Sequence, residues 1–291
     1  MVCADLGAAI ADLKAQGYRL DIIFPADEPH SATLSREGAS VRLVSRPDAP
    51  RPTASLPPFE PRFLITRGGA SGEGRAGMSY RDLIPGRLGG RYIASHISVP
   101  GGPVADWVHY HHVRFQMIAV RRGWVRVVYE DQGEPFVMHA GDLVLQPPGI
   151  RHRVLESSPG LEVVEVGCPA HHETLADHEM ELPIARGDPD RLFDGQRFLW
   201  HVAADGGPID LAGATGGLAD ARLVQTAIDV PAHDGELVFG FVMEGHGELD
   251  CEGAHQLGPT DAFVIPPDRP WRLRNVSDDF QLLHVTTANL D

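Results

Sequence analysis

Short runs of alternating apolar and polar residues, separated by glycine, proline and aspartate turns, dominate the chain from about residue 62 onward. Alternation with a period of two is typical of strands that bury one face. Many short strands at regular spacing predict a β-barrel or sandwich. The first series of runs reads RYIASHISV, FQMIAV, WVRVVYE, PFVMH, LVLQP, HRVLES and LEVVEVG, and the second reads RLVQTAIDV, LVFGFVM, GELDC, AFVIPP, WRLRNV and QLLHVTT.

The two series look like copies of one unit. RFLITR and RFLWHV each precede a series, and IPPDRPW in the second series echoes QPPGIRH in the first. Such self-similarity indicates an internal duplication. We therefore predict a mainly β chain with two tandem barrels, at residues 62–183 and 184–291.

Residues 1–48 follow a different pattern. Apolar residues at helical spacing occupy 5–16, between Asp5 as N-cap and Gly17 as the C-terminal stop. Three strand-like runs follow in YRLDIIF, SATLS and SVRLVS. The proline-rich residues 49–61 then favour extended conformations and predict a semi-rigid linker.

The order helix, strand, strand, strand, with the text GYRLDIIFPADEPHSATLSREGASVRLV, resembles a single module of the glyoxalase-like (vicinal oxygen chelate) families. Metal clefts in those families need two such modules, and their ligand pattern is not recognisable here. We therefore expect residues 1–48 to be a structural or dimerising element, and the protein to be a homodimer.

Composition narrows the range of partners. The formal net charge is −15, which repels phosphate backbones and anionic membranes. The three cysteines are far apart, and the N-terminus lacks the features of a signal peptide. No apolar run approaches the ~20 residues of a membrane span. We expect a cytoplasmic protein that acts on a small molecule and binds neither nucleic acid nor membranes.

The stretch HYHHVRFQ holds the candidate chemistry. His109 and His111 are two apart, so an extended strand directs both imidazoles to one face. Gln116 follows after a bend, and His152 ends the later stretch GDLVLQPPGIRH. A barrel can bring these four side chains together as ligands of one divalent transition metal: Fe, Mn, Ni or Zn.

This spacing resembles the two motifs of the cupin superfamily. The first motif is His-x-His, three or four residues, Glu, six residues and Gly, here His109, His111, Gln116 and Gly123. The second is Gly, five residues, Pro-x-Gly, two residues, His, three residues and Asn, here Gly141, Pro147, Gly149, His152 and Glu156. Gln116 in place of Glu and Glu156 in place of Asn are the departures. The resemblance implies a jelly-roll barrel with one mononuclear metal.

The second copy fits the cupin outline but lacks its ligands. His233 is followed by Asp234 and Gly235, so Gly235 stands at the position of the second histidine. Val238 takes the acid position, and Trp271 takes that of the last histidine. Asn275 is in its expected place. One imidazole cannot hold a catalytic metal, so we expect a bicupin with a single site in the first barrel.

Four uncharged ligands leave the metal its full charge, which favours Lewis-acid chemistry on anionic or oxygen-chelating substrates. Cupins of sugar-acid conversion and cyanohydrin cleavage likewise have Gln in this position. The resemblance therefore implies an isomerase or lyase step on a small oxygenated or sugar-acid-like molecule. Glu156, which shares the strand parity of His152, is a candidate acid or base, and Arg114 could reach an anionic substrate.

Two alternatives stay open. Several bicupin ring-cleaving enzymes hold iron with three histidines, which implies a dioxygenase of aromatic or diketone substrates if Gln116 does not coordinate. The cupin fold also serves non-catalytic small-molecule binding.

His171, His172 and His178 could suggest a second metal site, but we interpret the stretch that contains them as a polar connection after the barrel.

Overall fold

The computed structural model describes residues 1–52, 55–69 and 71–290, so Thr53 and Ala54 of the predicted linker lie outside it. The chain is mainly β, as predicted. The helical elements are Leu6–Ala15, Arg87–Gly90 and Leu211–Thr215, with 3-10 turns at Arg75–Gly77 and Ala203–Asp205. Within the described residues, no helix combines the length and the apolar character needed to cross a membrane.

The first barrel is built from two antiparallel sheets. One sheet contains, in order, Phe136–His139, Trp124–Tyr129, His152–Ser157, His109–His111, Thr174–Ala176, Arg19–Phe24, Ser31–Arg36 and Ala39–Val44, with Gly102–Pro103 also beside His152–Ser157. The other contains Leu199–His201, Leu143–Gln146, Phe115–Arg122, Leu161–Cys168, Ile93–Val99, Ser79–Asp82 and Gly72–Glu73. Leu192–Phe193 and Gln196–Arg197 form a small separate hairpin.

The N-terminal segment has the predicted order of one helix and three strands. Asp5 caps the helix by accepting a hydrogen bond from the Ala8 N–H at 2.9 Å. The first strand pairs with Thr174–Ala176, where Ile22 faces Leu175. The segment therefore finds its sheet partner within its own chain, and the homodimer stays a prediction.

The second barrel repeats the two-sheet arrangement. Its sheets contain, in order, Ala219–Val224, Gln281–Thr287, Val238–Glu244, Ala262–Ile265 and Leu64–Thr66, and then Ile228–Val230, Trp271–Arg274, Gly247–Asp250 and Ala254–Leu257. Apolar side chains fill the interior, where Trp271 is 1% exposed and packs against Phe263 with ring centroids 5.5 Å apart. The side chain at the third-histidine position thus belongs to a hydrophobic core.

The two barrels exchange edge strands. Leu64–Thr66, which we assigned to the first barrel, pairs with Ala262–Ile265 of the second. Leu199–His201, which we assigned to the second barrel, pairs with Leu143–Gln146 of the first. Each segment adds an edge strand to a sheet of the other barrel. The sequence next to these segments contains no signal for such distant pairing. The exact domain limits stay a prediction.

The largest hydrophobic core lies between the barrels. Phe115 and Met117 of the first barrel belong to this core together with Phe239 and Phe241 of the second. Because side chains alternate along a strand, the intervening Gln116 points into the first barrel. The apolar contact between barrels therefore sets the direction of a candidate ligand.

Candidate metal centre

Three histidines converge inside the first barrel. His109 and His152 lie directly opposite each other on neighbouring strands, and His111 follows two residues along on the same face. Each offers a ring nitrogen within 4.8 Å of the others, and all three are buried. Among the described residues they form the one group of three or more potential His, Cys, Asp or Glu ligands. The predicted triad is thus brought together.

Backbone carbonyls orient the three rings. The Nδ1 atoms of His109, His111 and His152 lie 2.8, 3.1 and 3.0 Å from the carbonyl oxygens of Trp107, Glu173 and Ile150. A carbonyl can only accept, so each Nδ1 carries the proton and each Nε2 presents a lone pair. A metal-binding histidine usually donates a hydrogen bond of this kind from the ring nitrogen that does not bind the metal.

Burial keeps the three imidazoles neutral. Loss of solvation lowers the pKa of His109 and His111 well below the ordinary value, and nearby Arg75 and His172 add to this. The pKa of His152 falls to about 4, also through burial. Neutral imidazoles are the form that binds metals, so a metal would meet little competition from protons near neutral pH.

Two glycines of the cupin motifs, Gly123 and Gly149, occupy turns that require glycine. Gly123 has φ of +80° at the turn after Phe115–Arg122, and a Cβ there would lie 2.4 Å from the Ser158 hydroxyl oxygen. Gly149 has φ of +76° just before His152. Such backbone is open mainly to glycine. Both residues therefore preserve the turns that place the ligand strands.

Gln116 is suited to be the fourth ligand. Its Nε2 donates to Glu165 Oε1 at 2.5 Å, which fixes the orientation of the amide. Its Oε1 is buried and has no hydrogen-bond partner among the residues that the structure describes. A buried acceptor without a partner is costly, and a cation would satisfy it. The donor set of three imidazoles and one amide oxygen therefore fits a divalent metal.

Glu165 was missed in the sequence. It lies in LEVVEVG, which we interpreted only as a strand. Leu161, Val163 and Glu165 share one face of that strand and line the same cavity as His111 and His152. Of the two acids in this strand, Glu165 shares its face with Leu161 and Val163, and an acid at such an inward position was the signal that could have revealed it.

Arg75 was also missed. Its guanidinium donates to Asp106 Oδ1 at 2.7 Å and lies 2.9 Å from His109 Nε2. Because an arginine can only donate, it occupies the lone pair that a metal would use. The arginine and aspartate side chains are 9% and 0% exposed. A charged group of the protein therefore competes directly for one of the three ligands.

Glu156 and Arg114 lie away from the cavity, which corrects their predicted placement. The strand His152–Ser157 contains a β-bulge: Val154 pairs with Val127, but Glu156 pairs with Arg126, the very next residue of the partner strand. Glu156 therefore lies on the opposite face of the sheet from His152 and Val154. Val154 lines the cavity and Glu156 does not. Arg114 is exposed in a separate surface groove.

His172 is buried beside the triad, although we assigned it to a polar connection. Its ring centroid is 5.2 Å from that of His111, and its Nδ1 lies 2.8 Å from the Pro169 carbonyl oxygen. It lines both the inner cavity and the surface groove that contains Arg114. His172 is therefore part of the wall between the candidate site and solvent.

A family model described as "Cupin domain" matches the chain twice, at residues 95–166 and 224–286. The chain is a bicupin. The match leaves residues 1–48 uncovered, so their likeness to a glyoxalase-like module stays a prediction. No curated protein matches the sequence of this bicupin.

Solved structures share its fold. Protein YlbA from E. coli matches with a TM-score of 0.58 and 10% identity, over 82% of the bicupin and 96% of YlbA. The oxalate decarboxylase of Lactobacillus farciminis, in a formate complex, matches with a TM-score of 0.53 and 14% identity, over 82% and 87%. The oxalate decarboxylase of Bacillus subtilis, which has Mn(II) centres, matches with 0.53 and 11%, over 85% and 81%. Identities this low establish the fold alone.

Proposed function

We propose that this bicupin is a metal-dependent enzyme that carries out an isomerase or lyase step on a small oxygenated substrate. His109, His111, His152 and Gln116 would hold one divalent transition metal. The observation that carries the proposal is the convergence of three buried imidazole rings, together with the buried Oε1 of Gln116, which has no hydrogen-bond partner in the described part of the chain. When bound, the metal would supply Lewis-acid polarisation of a carbonyl or carboxylate oxygen.

The cavity wall supplies the other groups that such a step needs. Glu165 is 8% exposed, lines the cavity and already accepts a hydrogen bond from Gln116, so it can take and return a proton at a carboxylate oxygen. Arg75 can orient an anionic substrate oxygen. We therefore assign the acid-base role to Glu165 in place of Glu156, and the anion-binding role to Arg75 in place of Arg114.

Packing buries the candidate ligands of this site: His109, His111 and His152 are each less than 9% exposed. Tyr129 stacks on His152, with ring centroids 5.5 Å apart, and its hydroxyl accepts a hydrogen bond from Gln146 Nε2 at 2.7 Å. At a site this buried, electrostatic interactions between charged groups are stronger than in bulk water. This favours proton transfer between substrate and Glu165 over exchange with solvent.

Elemental analysis of protein purified without chelators tests the proposal. We expect one transition metal per chain, and less than a tenth of that in His152→Ala. Protein that neither retains nor binds Mn, Fe, Ni or Zn would support the non-catalytic binding alternative. Stoichiometric oxygen uptake with aromatic or diketone substrates would support the dioxygenase alternative and overturn the non-oxidative step.

A further inference from the structure

The inner cavity behind the triad is mainly apolar. It has a volume of about 100 Å³, and more than half of its lining residues are aliphatic residues or methionines. They include Met78, Ile97, Val127, Met138 and Val163. The lining also contains Arg75, His111, His152 and Gln116 of the candidate metal centre, and five other polar residues: Tyr80, Tyr129, Gln146, Glu165 and His172. A ligand in this cavity would have its charged end at the candidate metal and the rest of its body against hydrocarbon.

Part of the hydrogen-bonding capacity of the wall is already used within the protein. Gln146 Nε2 donates to the Tyr129 hydroxyl and Gln116 Nε2 donates to Glu165 Oε1, so the Tyr129 O–H and the second Glu165 oxygen are among the few groups left for a ligand. A hydroxyl buried without a hydrogen bond costs considerable free energy, so a ligand with many hydroxyl groups is poorly accommodated. Apolar cavities of about 150 Å³ bind a molecule as large as benzene. The volume here therefore suits a branched alkyl chain or one small ring.

We infer that the substrate joins an anionic, oxygen-chelating head to a compact apolar body, an inference that rests on the proposed function. The head meets the metal and Arg75, and the body fills the aliphatic part of the cavity. This replaces the sugar-acid-like substrate expected from the sequence. It also disfavours acids without a hydrocarbon body.

Binding of acids that share one head tests the inference. Glyoxylate, α-ketoisovalerate and α-ketogluconate are titrated calorimetrically into protein loaded with Mn²⁺. Each buried carbon strengthens binding roughly fourfold, so α-ketoisovalerate should bind roughly 60-fold more tightly than glyoxylate. α-Ketogluconate should bind no more tightly than glyoxylate. Equal affinities for glyoxylate and α-ketoisovalerate, or a preference for α-ketogluconate, would overturn the inference.

Isosteric variants locate the body of the ligand. Val127→Thr places a hydroxyl in the wall and should weaken α-ketoisovalerate binding about fivefold or more, with glyoxylate binding unchanged. Val154→Thr, at a half-buried lining position, should act in the same direction and serves if the first variant is poorly folded. Val137→Thr, on the neighbouring strand but outside the cavity lining, is the matched control. Equal effects in all three would contradict the placement.

Metal-free protein separates this inference from the proposed function. After chelation, isobutyrate should still bind roughly 15-fold more tightly than acetate, because it adds two carbons to the same carboxylate. A protein that shows this preference but never binds metal refutes the proposed function and supports the apolar site. A protein that binds metal but shows no preference in either titration refutes the apolar site alone.

Discussion

Replacing Arg75 with methionine should strengthen metal binding and weaken the fold at the same time. Arg75 donates a charged hydrogen bond to His109 Nε2, which a metal must displace. Hydrogen bonds of this kind contribute about 1.5–3 kcal/mol net. Its removal should therefore raise metal affinity roughly ten- to hundredfold. The variant also leaves the buried Asp106 carboxylate unpaired, which costs about 3–5 kcal/mol of stability.

Two measurements test the expected gain in metal affinity and the expected loss of stability. Competition against a chelating dye gives the Mn²⁺ and Zn²⁺ affinities, and thermal unfolding of metal-free protein gives the stability. A loss of this size should lower the melting temperature by roughly 6–20 °C. Arg91→Met is the matched control, because Arg91 is 2% exposed and pairs with Glu236. It should lose stability without gaining metal affinity.

An unchanged or weaker metal affinity in Arg75→Met would refute the reasoning. The double variant with Asp106→Asn tests the remaining explanation, in which the buried negative charge of Asp106, no longer compensated by Arg75, attracts the metal. If the gain in affinity disappears in the double variant, that charge was its cause. If the gain remains, the freed lone pair of His109 was its cause.

Four further outcomes are expected. Glu165→Gln should lower turnover about 10²- to 10⁴-fold with metal content unchanged, and an equal loss in Glu156→Gln would contradict the assignment. Trp271→His should leave metal content at one per chain by elemental analysis. Trp271→Ala should cost about 3–5 kcal/mol in urea unfolding, because the indole is fully buried. Burial lowers the pKa of His284 to about 4, so below pH 6.5 the unfolded chain takes up a proton that the folded protein does not. This should cost about 2 kcal/mol between pH 7 and pH 5, and urea unfolding of His284→Gln should lack that loss.

The sequence predicted what depends on local spacing. His109, His111 and His152 come together because strand alternation and positive-φ turns are encoded within a few residues of each ligand. Glu156 was misplaced because one bulge reverses the alternation, and nothing in HRVLES indicates a bulge. Arg75 could not be found, because it lies in an irregular segment and reaches His109 only through the fold. Long-range pairing was equally inaccessible, as the strand Leu64–Thr66 demonstrates.

The exchanged strands make the two halves inseparable in practice. A gene fragment that encodes residues 62–183 would produce a metal-binding half without Leu199–His201, and with Leu64–Thr66 left without its partner. Neither half can be transplanted, deleted or evolved as an independent building block without exposing an unpaired strand edge, which promotes aggregation. This mutual dependence gives a reason why the second barrel, whose interior is filled with hydrocarbon side chains, is retained: the first barrel needs it to complete its sheets.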